Sequence, residues 1–132
     1  MFLIDTNVIC ELRRPREASR KLADWAASTP LSKIFLSFVS ICELEVGALS
    51  TERKDRAQGR SLRGWINAQV SPSFKGRILP IDLAAAERCA ALNLPERDAL
   101  IAATALVHDL TLVTRDASVF EAAGVRVFNP WD

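Results

Sequence analysis

The segment Phe2-Leu3-Ile4-Asp5-Thr6-Asn7 is an apolar run that stops abruptly at a carboxylate. Three consecutive apolar residues without polar alternation fit a strand covered on both faces, the pattern of parallel sheets. Runs of similar character recur at 34–36, 77–81, 111–114 and 125–128, separated by longer segments with helical periodicity. This alternation predicts βαβ units and an α/β fold with a short, mostly parallel central sheet.

The intervening segments carry helix signals. A short helix is expected from Thr6 to about Leu12, and a second after Pro15 with Leu22, Trp25 and Ala26 on one stripe. Ser37 is a suitable N-cap for a helix to about Leu49, in which Val39, Cys42, Val46 and Leu49 form an apolar stripe. Residues 52–70 read as a peripheral helix weakened by Gly59, and Asp82 caps a helix over 83–92. Pro95 opens a nearly all-apolar helix through His108, and a short turn over 117–122 ends at Gly124.

The 132 residues, 49% hydrophobic and 25% charged, predict one domain over 1–132. No apolar stretch reaches the roughly 20 residues of a membrane span, and none resembles a signal-peptide core, so a cytoplasmic protein without membrane contact is expected. Cys10, Cys42 and Cys89 are odd in number and widely spaced, which predicts buried, reduced thiols rather than disulfides. A net charge of +1 excludes a general polycation, so nucleic-acid contact has to be local. Arg13, Arg14, Arg16, Arg20 and Lys21 form one basic concentration, and Arg53, Lys54, Arg56, Arg60 and Arg63 another.

In an open parallel sheet, ligands bind beyond the carboxyl ends of the strands where the strand order reverses. Asp5 follows the first strand, and Asp116 follows the 111–114 run after Arg115. Capping a short helix explains each acid alone but not the coincidence of the two. Glu43 leans inward on the helix after Ser37, and Asp98 lies in the first turn of the apolar helix, where the helix dipole alone would favour it. If the four converge, protons or cations must offset their repulsion. All-oxygen ligation selects Mg²⁺ or Mn²⁺, which can activate water against a phosphodiester. Thr6, Asn7, Ser40 and Thr114 could supply supporting hydrogen bonds. Removing the Asp5 charge is then expected to relieve repulsion, leaving Asp5→Asn at least as stable as wild type without metal. His108 and the three tryptophans read as structural, and no Gly-rich loop or serine-nucleophile motif is present.

The combination of 2–9, the 37–47 segment with Glu43, the 98–105 run, Leu112-Val113-Thr114-Arg115-Asp116 and Phe128-Asn129-Pro130-Trp131 resembles the PIN-domain ribonucleases. It is most similar to the VapC toxins of type II toxin–antitoxin systems, including the FitB-like branch, and the likeness spans essentially the whole chain. The resemblance implies a three-layer α/β/α PIN-like fold and an Mg²⁺ or Mn²⁺ site of Asp5, Glu43, Asp98 and Asp116, supported by Thr6, Asn7 and Thr114. It implies an RNA substrate, a homodimer or higher assembly, and a VapB-type antitoxin that carries any DNA contact. The segment between Asp82 and Asp98 is shorter than in the FitB-like pattern.

The leading expectation is therefore a metal-dependent endoribonuclease toxin, with Arg13, Arg14 and Arg115 as candidate RNA contacts. The alternative is a catalytically silent PIN-fold module that acts only through its antitoxin-type partner. A haloacid-dehalogenase-type phosphatase ranks last, because the second acid it needs two residues after Asp5 is Asn7.

Overall fold

A computed structural model describes residues 1–132. Five parallel strands form one sheet: β1 (Phe2–Ile4), β2 (Ile34–Ser37), β3 (Ile78–Leu79), β4 (Thr111–Val113) and β5 (Val127–Phe128). Their order is β3-β2-β1-β4-β5. In β1, Phe2 pairs with both Ile34 and Thr111, so the first strand is central. The chain builds outward through β2 to β3, then crosses back to place β4 on the other side of β1. The strand order thus reverses between β1 and β4, the position predicted for a ligand site.

Helices cover both faces. In chain order they are α1 (Thr6–Leu12), α2 (Arg20–Ser28), α3 (Phe38–Lys54), α4 (Arg56–Trp65), α5 (Ser71–Ser73), α6 (Leu83–Ala90), α7 (Glu96–Val107) and α8 (Ala117–Ala122). A 3₁₀ turn at Leu31–Lys33 precedes β2, and a π-helical stretch, Ile66–Val70, joins α4 to α5. Alternate strand residues feed opposite cores, as the two-residue strand period requires. Ile4 and Val113 join Val8, Leu22 and Ile66 on one face, whereas Leu3 and Leu112 join Ile101, Ala105 and Phe120 on the other. The α/β/α layering is as expected.

Three local expectations need correction. The buried residues of α3 are Ser40, Leu44 and Ala48; of the expected stripe, Val39 is half-buried against the core, while Cys42, Val46 and Leu49 face outward together with Phe38. The helix is apolar on two sides, and its small residues lie on the side against the sheet. Residues 52–70 are not one helix: α3 runs on to Lys54, and Asp55 starts α4 by accepting hydrogen bonds from the N–H groups of Ala57 and Gln58. A Cβ on Gly59 would lie 2.4 Å from Glu52 Cα, so glycine permits the α3–α4 contact. The cysteines are unpaired but not buried: Cys10 and Cys42 are exposed and Cys89 is intermediate.

Candidate active site

Asp5 ends β1 and caps α1, with its Oδ1 accepting the Thr6 N–H at 2.8 Å. It is 2% exposed, and its Oδ2 accepts the Thr114 hydroxyl at 3.0 Å. Thr114 follows β4, so this bond spans the two central strand ends. Capping and site-building are therefore both properties of Asp5. The β1–β4 pairing brings it to Thr114 across a sequence separation of 109 residues.

Glu43 arrives from α3. The Thr6 hydroxyl lies 2.7 Å from Glu43 Oε1 and 2.8 Å from Ser40 Oγ. With one proton available, Thr6 donates to the carboxylate and accepts from Ser40. Ser40 and Thr6 are buried, so this relay fixes Glu43 against α1 rather than leaving it free on the helix surface. Asp98 comes from the first turn of α7.

Arg97 joins these three acids. Its Nη2 donates to Asp5 at 2.8 Å, its Nε to Glu43 at 2.5 Å and its Nη1 to Asp98 at 2.7 Å. The cation that the converging carboxylates require is thus supplied by the chain itself. Burial alone would lower the pKa of Arg97, but the Glu43 hydrogen bond, the Asp5 and Glu43 charges and the Asp5 hydrogen bond raise it above its ordinary value. The guanidinium remains charged at any working pH. Arg97 thus offsets part of the repulsion among Asp5, Glu43 and Asp98 on which the expected stability of Asp5→Asn rests, and it makes Asp5 an ion-pair partner that the Asn variant would lose.

The remaining sequence candidates divide. Asp116 stands before α8 and is exposed, and its side chain makes no capping bond. Its N–H donates to Thr114 Oγ at 3.2 Å, so Thr114 links it to Asp5. Asn7 is exposed, and its side chain makes none of the hydrogen bonds expected of it, because the turn of α1 that buries Thr6 directs the next residue outward. Arg13 donates to Ser61 at 2.8 Å and lies over Trp65, with 5.8 Å to the ring centroid. Arg115 lies 4.2 Å over Trp131 and 3.5 Å from Glu11, whereas Arg14 pairs only with exposed Glu17.

Arg97 is the site residue that the sequence reading missed. Local pattern could not reveal it, because two of its three partners are 54 and 92 residues away. The available signal was charge balance, since a buried acid near two others requires a cation. With Arg97 among them, no group of three or more His, Cys, Asp or Glu side chains is arranged to hold a metal ion. The donor set still suits a hard cation, because three carboxylates from separate elements already converge on one positive group.

Between α1, the turn that follows it and α4 lies a cleft of about 420 Å³, lined by Cys10, Glu11, Arg13, Arg14, Glu17 and Ser61 among others and by none of the four acids. A second hollow of about 340 Å³ shares Arg13, Arg14 and Ser61 and extends to Gln69. Cys10 connects cleft and acids electrostatically. Desolvation of its sulfur and then the Glu43 charge raise the thiol pKa, Arg13 lowers it in part, and Asp5 adds a further upward shift.

A family model described as the PIN domain matches residues 2–125. The chain belongs to the PIN-domain family. This PIN domain is 38% identical to the toxin FitB of Neisseria gonorrhoeae, across 99% of each chain. It is 34% identical to the VapC ribonuclease Y4jK of Sinorhizobium fredii, over 100% of this chain and 99% of that one. It superposes on the crystal structure of FitAcB from Neisseria gonorrhoeae with a TM-score of 0.89 and 36% identity, covering 99% of both chains. A toxin–antitoxin complex from Klebsiella pneumoniae matches with a TM-score of 0.71 and 28% identity, over 100% of this PIN domain and 99% of that chain.

Proposed function

We propose that this chain is the endoribonuclease toxin of a type II toxin–antitoxin module and hydrolyses RNA phosphodiester bonds with a divalent ion, Mg²⁺ or Mn²⁺. The observation that carries the proposal is the convergence of Asp5, Glu43 and Asp98 on one positive group. Full-length similarity to a protein named as a VapC ribonuclease supports the reaction class. Similarity to FitB and to the Klebsiella toxin–antitoxin complex supports the toxin role and a VapB-type antitoxin as inhibitor. Any operator DNA contact belongs to that antitoxin. A cytoplasmic setting is part of this proposal; no helix of the chain is long and apolar enough to cross a membrane.

Asp5, Glu43 and Asp98 would hold the ion, with Asp116 next to them through Thr114. When bound, the ion supplies Lewis acidity that lowers the pKa of a coordinated water and stabilises the charge of in-line displacement. The rest is positioning. Thr114 fixes the Asp5 oxygen, Thr6 fixes the Glu43 oxygen, and buried Ser40 fixes Thr6. The α1–α4 cleft offers the strand an approach, with Arg13 and Arg14 on its wall and Arg115 beside the cleft residue Glu11 to meet phosphates. Arg13 and Arg115 are held against Trp65 and Trp131, so less side-chain freedom is lost when a phosphate binds. The outward apolar stripe Phe38, Val46 and Leu49 of α3 supports assembly as a homodimer.

Asp5→Asn tests the site. Cleavage of total RNA in Mg²⁺ or Mn²⁺ by the purified, antitoxin-free chain should be lost in the variant, and undiminished cleavage would remove Asp5 from the mechanism. Absence of cleavage by wild type across the metal series would instead favour the silent binding module.

A further inference from the structure

Arg97 is the one cation at the acidic centre, and its three nitrogens are each assigned to a different carboxylate. Those carboxylates come from the end of β1, from α3 and from α7, so the guanidinium sits where the three elements meet. While it does so, the acids face its nitrogens, and no three of them are set to share an ion. Three carboxylates against one guanidinium leave the centre acidic, so a divalent ion would balance it better than the arginine does. The side chain of Arg97 is 35% exposed, against 3% for Asp5, which gives the guanidinium a route to solvent that the acid lacks. Arg97 is also next in sequence to Asp98, so it would remain at the rim after leaving the centre.

We propose that Arg97 is a built-in competitor for the divalent ion, filling the cation position of the metal-free centre and leaving it when the ion enters. The proposal rests on the metal-site reading given above. It has two separable consequences. Arg97 holds the acids together when no ion is present, and it weakens ion binding because its bonds to Asp5, Glu43 and Asp98 must break first. Arg97→Met keeps the aliphatic stem and removes the charge, whereas Arg97→Lys keeps the charge but cannot address three carboxylates at fixed angles.

Isothermal titration of Mn²⁺ into the purified, metal-free chain measures the competition directly, and thermal denaturation of the same samples measures the bracing. Arg97→Met should bind Mn²⁺ roughly tenfold more tightly than wild type, the equivalent of losing one charge-assisted hydrogen bond. The same variant should melt lower than wild type without metal and gain more from saturating Mn²⁺, with Arg97→Lys intermediate in both respects. Equal or weaker binding by a folded Arg97→Met would overturn the competition. If Arg97→Met is too unstable to titrate, Arg97→Lys decides, since binding no tighter than wild type overturns the proposal as well. Asp5→Asn separates this failure from failure of the metal site: if wild type, Arg97→Met and Asp5→Asn all bind Mn²⁺ alike, or none binds it, the acids are not the metal site and both readings fall.

Discussion

The ends of β1 and β4 look alike in sequence, each an apolar strand followed by an aspartate before a short helix, yet the structure treats the two acids differently. Asp5 is 2% exposed and accepts hydrogen bonds from Thr6, Thr114 and Arg97, whereas Asp116 is exposed and touches the network only through its backbone N–H. Burial forces full satisfaction on Asp5, because an unpaired carboxylate in that position would be costly. Asp116 pays no such cost and leaves its side chain available. One acid is thus part of the framework before any ligand arrives, and the other is free to respond to one.

The largest test of this contrast is catalytic. Asp5→Asn should lower RNA cleavage by more than about a hundredfold, the scale expected when a preorganised charge at a reacting centre is removed. Asp116→Asn should cost about tenfold, as for a group that assists a metal site from its edge. Initial rates on one RNA at saturating Mg²⁺ measure both. Equal losses would mean that the two strand ends contribute alike and that burial does not distinguish their roles.

Stability should separate them as well. Asn at position 5 turns an acceptor into a donor that faces Thr114 or Arg97, and it removes one ion-pair partner from the guanidinium. The loss should be about 2 kcal/mol, below the value for a fully buried pair because Arg97 is 35% exposed on its side chain. Asp116→Asn should stay within about 0.5 kcal/mol of wild type. Denaturant melts of the metal-free proteins check this. A metal-free Asp5→Asn at least as stable as wild type would restore the view that repulsion among the acids dominates.

Thr114 links the two ends. Thr114→Val preserves shape while removing the hydroxyl that donates to Asp5 and accepts from the Asp116 N–H. A destabilisation of about 1–2 kcal/mol is expected, since a buried acceptor loses its partner. Cleavage should fall as well, measured in the same assay, because Asp5 is no longer fixed.

What was legible in the sequence follows from the range of the forces involved. Phe2–Ile4 was read with its observed bounds because a strand buried on both faces leaves a purely local apolar signature. The third strand is shorter than expected, Ile78–Leu79: Pro80 cannot donate to a ladder, while Arg77 before it still accepts the Leu36 N–H of β2. The stripe of α3 divides, with Val39 against the core and Cys42, Val46 and Leu49 outward, because its apolar residues occupy two sides and periodicity alone does not say which side meets the sheet. The family pattern implies one set of Asp5, Glu43, Asp98 and Asp116, of which the first three meet on Arg97. Arg97 was not legible, because its role comes from long-range charge compensation, which no local spacing records.

The smallest effect concerns Cys10, which reports the acidic centre from its cleft side. Desolvation and the Glu43 and Asp5 charges raise the folded thiol pKa above its ordinary value, against a partial downward shift from Arg13. A raised folded pKa means that the protonated thiol is favoured by folding. Its contribution to stability is present below the unfolded pKa and is lost as pH rises through the folded one. Because the thiolate is the nucleophile, Cys10 should alkylate more slowly than an ordinary exposed thiol at any pH below that value. Glu43→Gln removes the second of the upward causes and should speed Cys10 alkylation by roughly twofold at mildly alkaline pH, read by peptide mass spectrometry. Asp116→Asn should leave the rate unchanged, since Asp116 is not among the groups that shift this thiol. A rate that responds to Asp116 but not to Glu43 would place the field of the centre at the β4 end and invert the contrast between the two strand ends.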